Sequence, residues 1–272
     1  KDPLSVERAF QFLRSDEPRT KKNGENYLPT DQLYVDGPNG EQIFIKKARR
    51  YTRSEMMIME MLEQNDWKRP MYFAVTVGDD YYMGLKPYFE LTGLAYQITP
   101  VRSADGQPRV NTEKMYENMM HKFCYGGLNR PGVYIDENLS RMCHTHRMMF
   151  QTLAEALIRE GKRDMAMEVL DYAEEVLPGY NIPYDYTSAS MASMYYMLGA
   201  ADKANPIIEA VAQTASEYLE WGASLSKQNR QAVSQTLQHQ SAVLGYTLQV
   251  MERNRQNELF DRYYPVYAQY AR

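Results

Sequence analysis

Only two cysteines occur in 272 residues, which excludes a disulfide-stapled scaffold and leaves room for one bridge at most. No apolar run reaches the roughly 18 residues that a membrane-spanning helix needs. An excess of positive charge is also missing. With 31 basic and 35 acidic side chains the net charge is -4, so a broad nucleic-acid-binding face is not expected, although a local basic patch stays open. The phosphate-cradling and metal-protease signatures GxGxxG, GxxxxGK[ST] and HExxH are all absent. What remains is a globular composition, 44% hydrophobic and 24% charged, with an unusual 23 tyrosines and 18 methionines. The length suits one large domain or two ordinary ones. The chain starts at Lys1 with no signal peptide behind it, which reads as a piece cut or processed from something longer.

Patterning divides the chain. Val6, Ala9, Phe10 and Leu13 recur at helical spacing behind the N-cap candidate Ser5. The stretch 15–29, with Arg19, Lys21 and Lys22, is polar and proline-bearing and reads as a loop. Gln32–Asp36 and Gln42–Lys46 flank Gly37-Pro38-Asn39-Gly40, which predicts a β-hairpin. Thr52 to Gln64 is predicted helical, with Met56, Met57, Met59, Met61 and Leu62 as its apolar face. Met71 to Val77 is the strongest strand signal, continuous enough to suggest burial on both faces. A helix over Tyr81–Leu91, capped by Asp79 or Asp80, and a strand over Leu94–Val101 would complete a right-handed βαβ unit. Another helix is expected over Thr112–Phe123. Past Tyr134 strand signals vanish. Helices follow with breaks near Gly161, Pro178–Pro183, Gly199 and Gly222, then one long helix over Lys227–Tyr263. The expected fold is therefore α+β, mainly α: an α/β part over 1–134 with a hairpin and a βαβ unit, and an all-helical part over 135–272.

The helical part repeats itself. Leu153, Ala154, Leu157, Gly161, Ala166, Leu170, Ala173 and Pro178 find counterparts in Met191, Ala192, Tyr195, Gly199, Ala204, Ile208, Val211 and Ser216. Small residues where two helices would cross, and a glycine at the turn, resemble the tetratricopeptide pattern of about 34 residues, here with a longer connection at Gly179–Tyr186. Any antiparallel helical hairpin also needs small residues at its crossing.

Few residues point to chemistry. Asp79 and Asp80, followed by Tyr81 and Tyr82, stand after the best strand, where α/β sheets place ligands, so they form a candidate rim for a sugar or a cation. Helix capping by one Asp accounts for the same residues. His121, Cys124, Cys143, His144 and His146 supply soft ligands, but their spacing matches no standard zinc site. No metal and no cofactor are expected. Lys46, Lys47, Arg49, Arg50 and Arg53 form a basic run that fits either anionic head groups or a solvated helix start. Tyr184, Tyr186 and Tyr195 are assigned to the concave face of the helical hairpins as a candidate binding surface. No base–nucleophile pair is readable.

Tyr51-Thr52-Arg53-Ser54-Glu55-Met56-Met57-Ile58-Met59, the run Trp67 to Tyr82, Gly93-Leu94-Ala95-Tyr96, Pro131 to Asn138 and the repeat at Leu153–Pro178 together resemble a known family over most of the chain, from about Val6 to Leu219. It is the C-terminal soluble part of a bacterial family of multi-pass membrane proteins, long of unknown function and classed with protein O-mannosyltransferases. The resemblance implies that a hydrophobic N-terminal region, missing from this chain, uses a lipid-linked sugar donor, so no catalytic residue carries over. It implies a periplasmic, non-catalytic accessory domain. Its partners would be the parent's own membrane region and a periplasmic acceptor protein. A free-standing tetratricopeptide-type module and a glycan- or small-ligand-binding domain are the alternatives.

Overall fold

The computed structural model describes residues 2–15, 27–28, 30–48 and 50–270. The expected loop 15–29, with Arg19, Lys21 and Lys22, lies almost wholly outside them, as does Arg49. The chain forms two compact units, Lys1–Met115 and Tyr116–Arg272. Among the described residues all strands lie in the first, and the fold is α+β, mainly α. The division falls within a short helix at 112–116, whereas the sequence placed the change of texture near Tyr134, drawn by the glycines and prolines at 126–132.

The first unit opens with β1 (Leu4–Ser5) and α1 (Val6–Arg14), whose first turn is capped by the Ser5 hydroxyl accepting from Arg8 N–H. β2 (Leu33–Asp36) and β3 (Gln42–Phe44) pair antiparallel across the Gly37–Gly40 turn as the sequence predicts, and β1 joins β2 in parallel. α2 (Arg53–Asn65) begins with a reciprocal cap: Glu55 N–H donates to Thr52 Oγ1, and Thr52 N–H donates to the Glu55 carboxylate. Only part of its methionine row is buried. Met59 and Leu62 enter the core, while Met57 is 63% and Met61 51% exposed.

A second sheet follows, in the order β4-β6-β5-β7, built from β4 (Tyr72–Ala74), β5 (Phe89–Leu91), β6 (Ala95–Ile98) and β7 (Arg109–Val110). Here two expectations are corrected. The strand predicted over Met71–Val77 is short, alternates in burial and lies at a sheet edge with β6 as its neighbour. The βαβ unit does not form: β4 and β5 both run antiparallel to β6. The segment predicted as a helix over Tyr81–Leu91 is instead a 3-10 turn at Asp79–Tyr82, a second at Lys86–Tyr88, and then β5. Helix-interior Gly84 and Pro87 would cost about 1 and about 3 kcal/mol relative to alanine. Gly84 sits at φ +80, and a Cβ there would lie 3.0 Å from the Lys46 backbone nitrogen. That close approach is where Lys46 N–H donates to Met83 O at 2.8 Å. Tyr82, Phe89, Phe73, Ile98, Met59, Val6 and Ile43 share one core.

α3 (Thr112–Tyr116) continues into a π turn at Glu117–Lys122. The second unit then packs α4 (Glu137–Arg159) on α5 (Arg163–Val176), and α6 (Tyr186–Leu198) on α7 (Ala201–Ser224). Gly161 and Gly199 turn the two hairpins in left-handed conformations. Every repeat position from Leu153 to Ala173, glycine aside, is buried, as are Met191, Ala192, Tyr195, Ala204, Ile208 and Val211. The small residues at the crossings let the backbones approach. α6 is buried over most of its circumference because Ser188, Ala189, Ser190 and Ala192 permit close neighbours on several sides. The expected single long helix after Lys227 is corrected to three: α8 (Lys227–Ala232), α9 (Ser234–Arg253) and α10 (Asn257–Tyr270). α9 and α10 both pack on α7.

Candidate functional site

The Asp79–Tyr82 rim separates in the structure. The turn is capped by Gly78 with no side-chain bond, so neither aspartate is a helix cap. Asp79 pairs with Lys86 at 2.8 Å in an exposed contact of small energetic value. Asp80 is exposed, and its backbone carbonyl accepts from Lys46 Nζ at 3.1 Å. Tyr81 is 63% exposed, but Tyr82 is in the core. Its hydroxyl donates to Val77 O at 2.6 Å, and its ring meets Phe73 and Phe89 edge-on. Burial raises its pKa. An aromatic needed to carry the sheet's core is not available to stack on a ligand.

Beside this turn lies an apolar groove of about 530 Å³ between α2 and β4. Ile58 and Met61 of α2 line it together with Tyr72, Thr76 and Tyr81, and the buried Phe73 and Ile98 also line it. The exposed Met61, which the sequence placed on the helix's apolar face, thus lines the groove. Methionine's flexible thioether suits a surface that must fit a partner. The sequence signal was present: six apolar residues from Met56 to Leu62 exceed what one helical face can bury.

The three tyrosines of the helical unit are not brought onto one open surface. Tyr195 is 1% exposed, with its hydroxyl donating to Asp171 at 3.1 Å. Tyr184 is half-buried and donates to Glu174 at 2.6 Å. Tyr186 is exposed, with its ring tilted against Tyr246 at 4.6 Å. Burial and neighbouring carboxylates push the Tyr184 and Tyr195 phenols well above their ordinary range, so neither is an acid–base group near neutrality.

Beside Tyr184 is a residue that sequence reading passed over. Arg147 on α4 is fully buried. Its guanidinium donates to Leu177 O at 2.9 Å and to Ile182 O and Pro183 O at 3.0 Å, and lies 5.3 Å from the Tyr184 ring centroid. It therefore fixes the connection between the two hairpins. Burial lowers its pKa and raises that of Glu174, while the charge of each favours the charged form of the other. An arginine between Met-rich helical residues has no sequence mark separating it from a surface arginine.

The soft-ligand residues do not converge. Cys124 is exposed and Cys143 buried, both as free thiols. His144 pairs with Asp185 at 2.9 Å, and His146 packs edge-on to Tyr125. Among the described residues no three His, Cys, Asp or Glu side chains are placed to hold one metal ion. The basic run is spent locally in part: Lys46 reaches Asp80 O and lies 3.9 Å from Glu55.

Residues 39–115 match a protein-family model described as TMEM260-associated domain 2. The segment holds β3 to β7, α2 and the whole groove, and the match suggests a domain associated with a membrane protein, of unknown function. No curated protein and no solved structure matches the chain. No described helix is long and apolar enough to cross a membrane.

Proposed function

We propose that this chain is a non-catalytic accessory part of a membrane-embedded glycosyltransferase of the protein O-mannosyltransferase type, standing on the periplasmic side and binding an acceptor protein or the parent's own membrane region. The observation that carries the reading is the coincidence, within residues 39–115, of the TMEM260-associated match and an apolar groove bordered by a strand edge. Grooves of this kind supply binding energy by covering apolar surface. The helical hairpins, tetratricopeptide-like in register, would add a second surface. A glycan pocket at Asp79–Tyr82 is less favoured, because Tyr82 is committed to the core.

The test incubates the purified chain with a lipid-linked mannose donor and periplasmic acceptor proteins. Retention of an acceptor without sugar transfer is the expected result. Transfer of mannose by the chain alone overturns the reading.

A further inference from the structure

The hydrogen-bond parity of β4 decides which of its backbone groups are spent. Ile98 N–H donates to Met71 O at 2.9 Å, and Val75 N–H donates to Leu94 O at 3.1 Å. With Phe73 opposite Tyr96, the bonded positions on β4 are 71, 73 and 75, since bonded and non-bonded pairs alternate in an antiparallel ladder. Tyr72 and Ala74 consequently turn their N–H and C=O groups away from β6, toward the side where, among the described residues, no strand lies. The Ala74 carbonyl is taken by Val77 N–H at 3.0 Å. The Tyr72 N–H and C=O and the Ala74 N–H are thus offered outward, at the lip of the α2–β4 groove.

We propose that this edge accepts an extended polypeptide as an additional strand, with alternate apolar side chains of the guest seated in the groove of Ile58, Met61, Tyr72 and Tyr81. The proposal rests on the reading of the chain as a binding module and names the chemistry of what it binds. An unpaired edge is a template for strand addition: main-chain bonds supply affinity and alternate pockets select side chains. Charge at the two ends of β4 sets the order of the guest. Arg69 precedes the strand and Asp80 follows it, both exposed and without an ion pair among the described residues, whereas Lys68 is paired with Asp66 at 2.9 Å and Asp79 with Lys86 at 2.8 Å. A guest added antiparallel, the slightly more stable pairing, lays its N-terminal end by Asp80 and its C-terminal end by Arg69. The matching guest carries Lys or Arg before its β-branched residues and Asp or Glu after them.

The experiment uses the 272-residue chain and a fluorescein-labelled probe peptide, Lys-Lys-Val-Thr-Val-Thr-Val-Glu-Glu, read by anisotropy. Saturable binding is expected. A probe N-methylated on alternate backbone amides should bind at least about tenfold more weakly, as should the chain with Ala74→Pro, since each loses main-chain bonds. Proline at an outward-facing edge N–H is compatible with a sheet. Met61→Asp, which leaves the backbone alone, should weaken binding similarly, and Met57→Asp, outside the groove lining, should not. The charge-reversed probe Glu-Glu-Val-Thr-Val-Thr-Val-Lys-Lys should bind more weakly at low salt, with the difference closing as salt rises. No binding of the first probe, or equal binding of its N-methylated form, overturns the proposal. So does self-association of the chain that Ala74→Pro abolishes, which would make a second copy the occupant. Acceptor retention in the sugar-transfer test is scored separately, so a failed probe and a failed accessory role are distinguishable.

Discussion

Replacing Arg147 by leucine tests the account of the helical unit most directly. The guanidinium is the hydrogen-bond donor to three carbonyls of the hairpin connection. Leu177 and Ile182 are buried, while Pro183 is exposed. Leaving two buried acceptors unpaired costs about 1–3 kcal/mol each, and the exposed third can turn to water. Glu174 would in addition lose the nearby charge of Arg147, which favours its ionised form. Recovery of arginine's own desolvation penalty offsets part of this, so the expected loss is about 3–5 kcal/mol. The assay is urea unfolding followed through Trp221 in a Trp67→Phe background, so that fluorescence reports the helical unit alone. The pH dependence adds a second reading. The Glu174 pKa is raised in the folded state mainly by burial, so its folded-state penalty is present above that raised pKa and is relieved as pH falls through it. Without Arg147 the penalty at neutral pH grows. The gap between wild type and Arg147→Leu should therefore narrow between pH 7 and about pH 5. A loss below about 1 kcal/mol, or a gap independent of pH, would refute the view that Arg147 holds the connection through its charge.

Ala154→Leu and Ala166→Leu should each overpack the α4–α5 crossing, where both alanines are fully buried, and cost about 1–3 kcal/mol in thermal or urea unfolding. Unchanged stability in both would refute the close crossing. The His146 pKa is lowered by burial, so its contribution is present above the unfolded value and lost as pH falls through it; His146→Leu should flatten the loss of stability between pH 7 and about pH 5.5. Gly84→Ala should destabilise the first unit by about 1 kcal/mol or more through its left-handed φ and the nearby Lys46 backbone, and an unaltered melting midpoint would argue against that close approach.

The sequence alone determined the elements whose signals are local. Ser5, the N-cap candidate, caps its helix through a side chain that reaches its own first turn. The Gly37–Gly40 turn forces the hairpin, and the small-residue spacing around Gly161 and Gly199 marks the two helical hairpins. These depend on contacts a few residues apart, and pattern records them. What only the tertiary structure decided depends on partners distant in the chain. Met71 to Val77 has the composition of an interior strand, yet its place at an edge is set by β6 pairing with β5 on its other side. Tyr81 and Tyr82 are neighbours in sequence, and packing against Phe73 and Phe89 sends one inward while the other stays at the groove. Arg147 acts on carbonyls at Leu177, Ile182 and Pro183. No periodicity encodes that contact, because the fold alone brings a charged side chain on one helix against the unpaired backbone of a later turn.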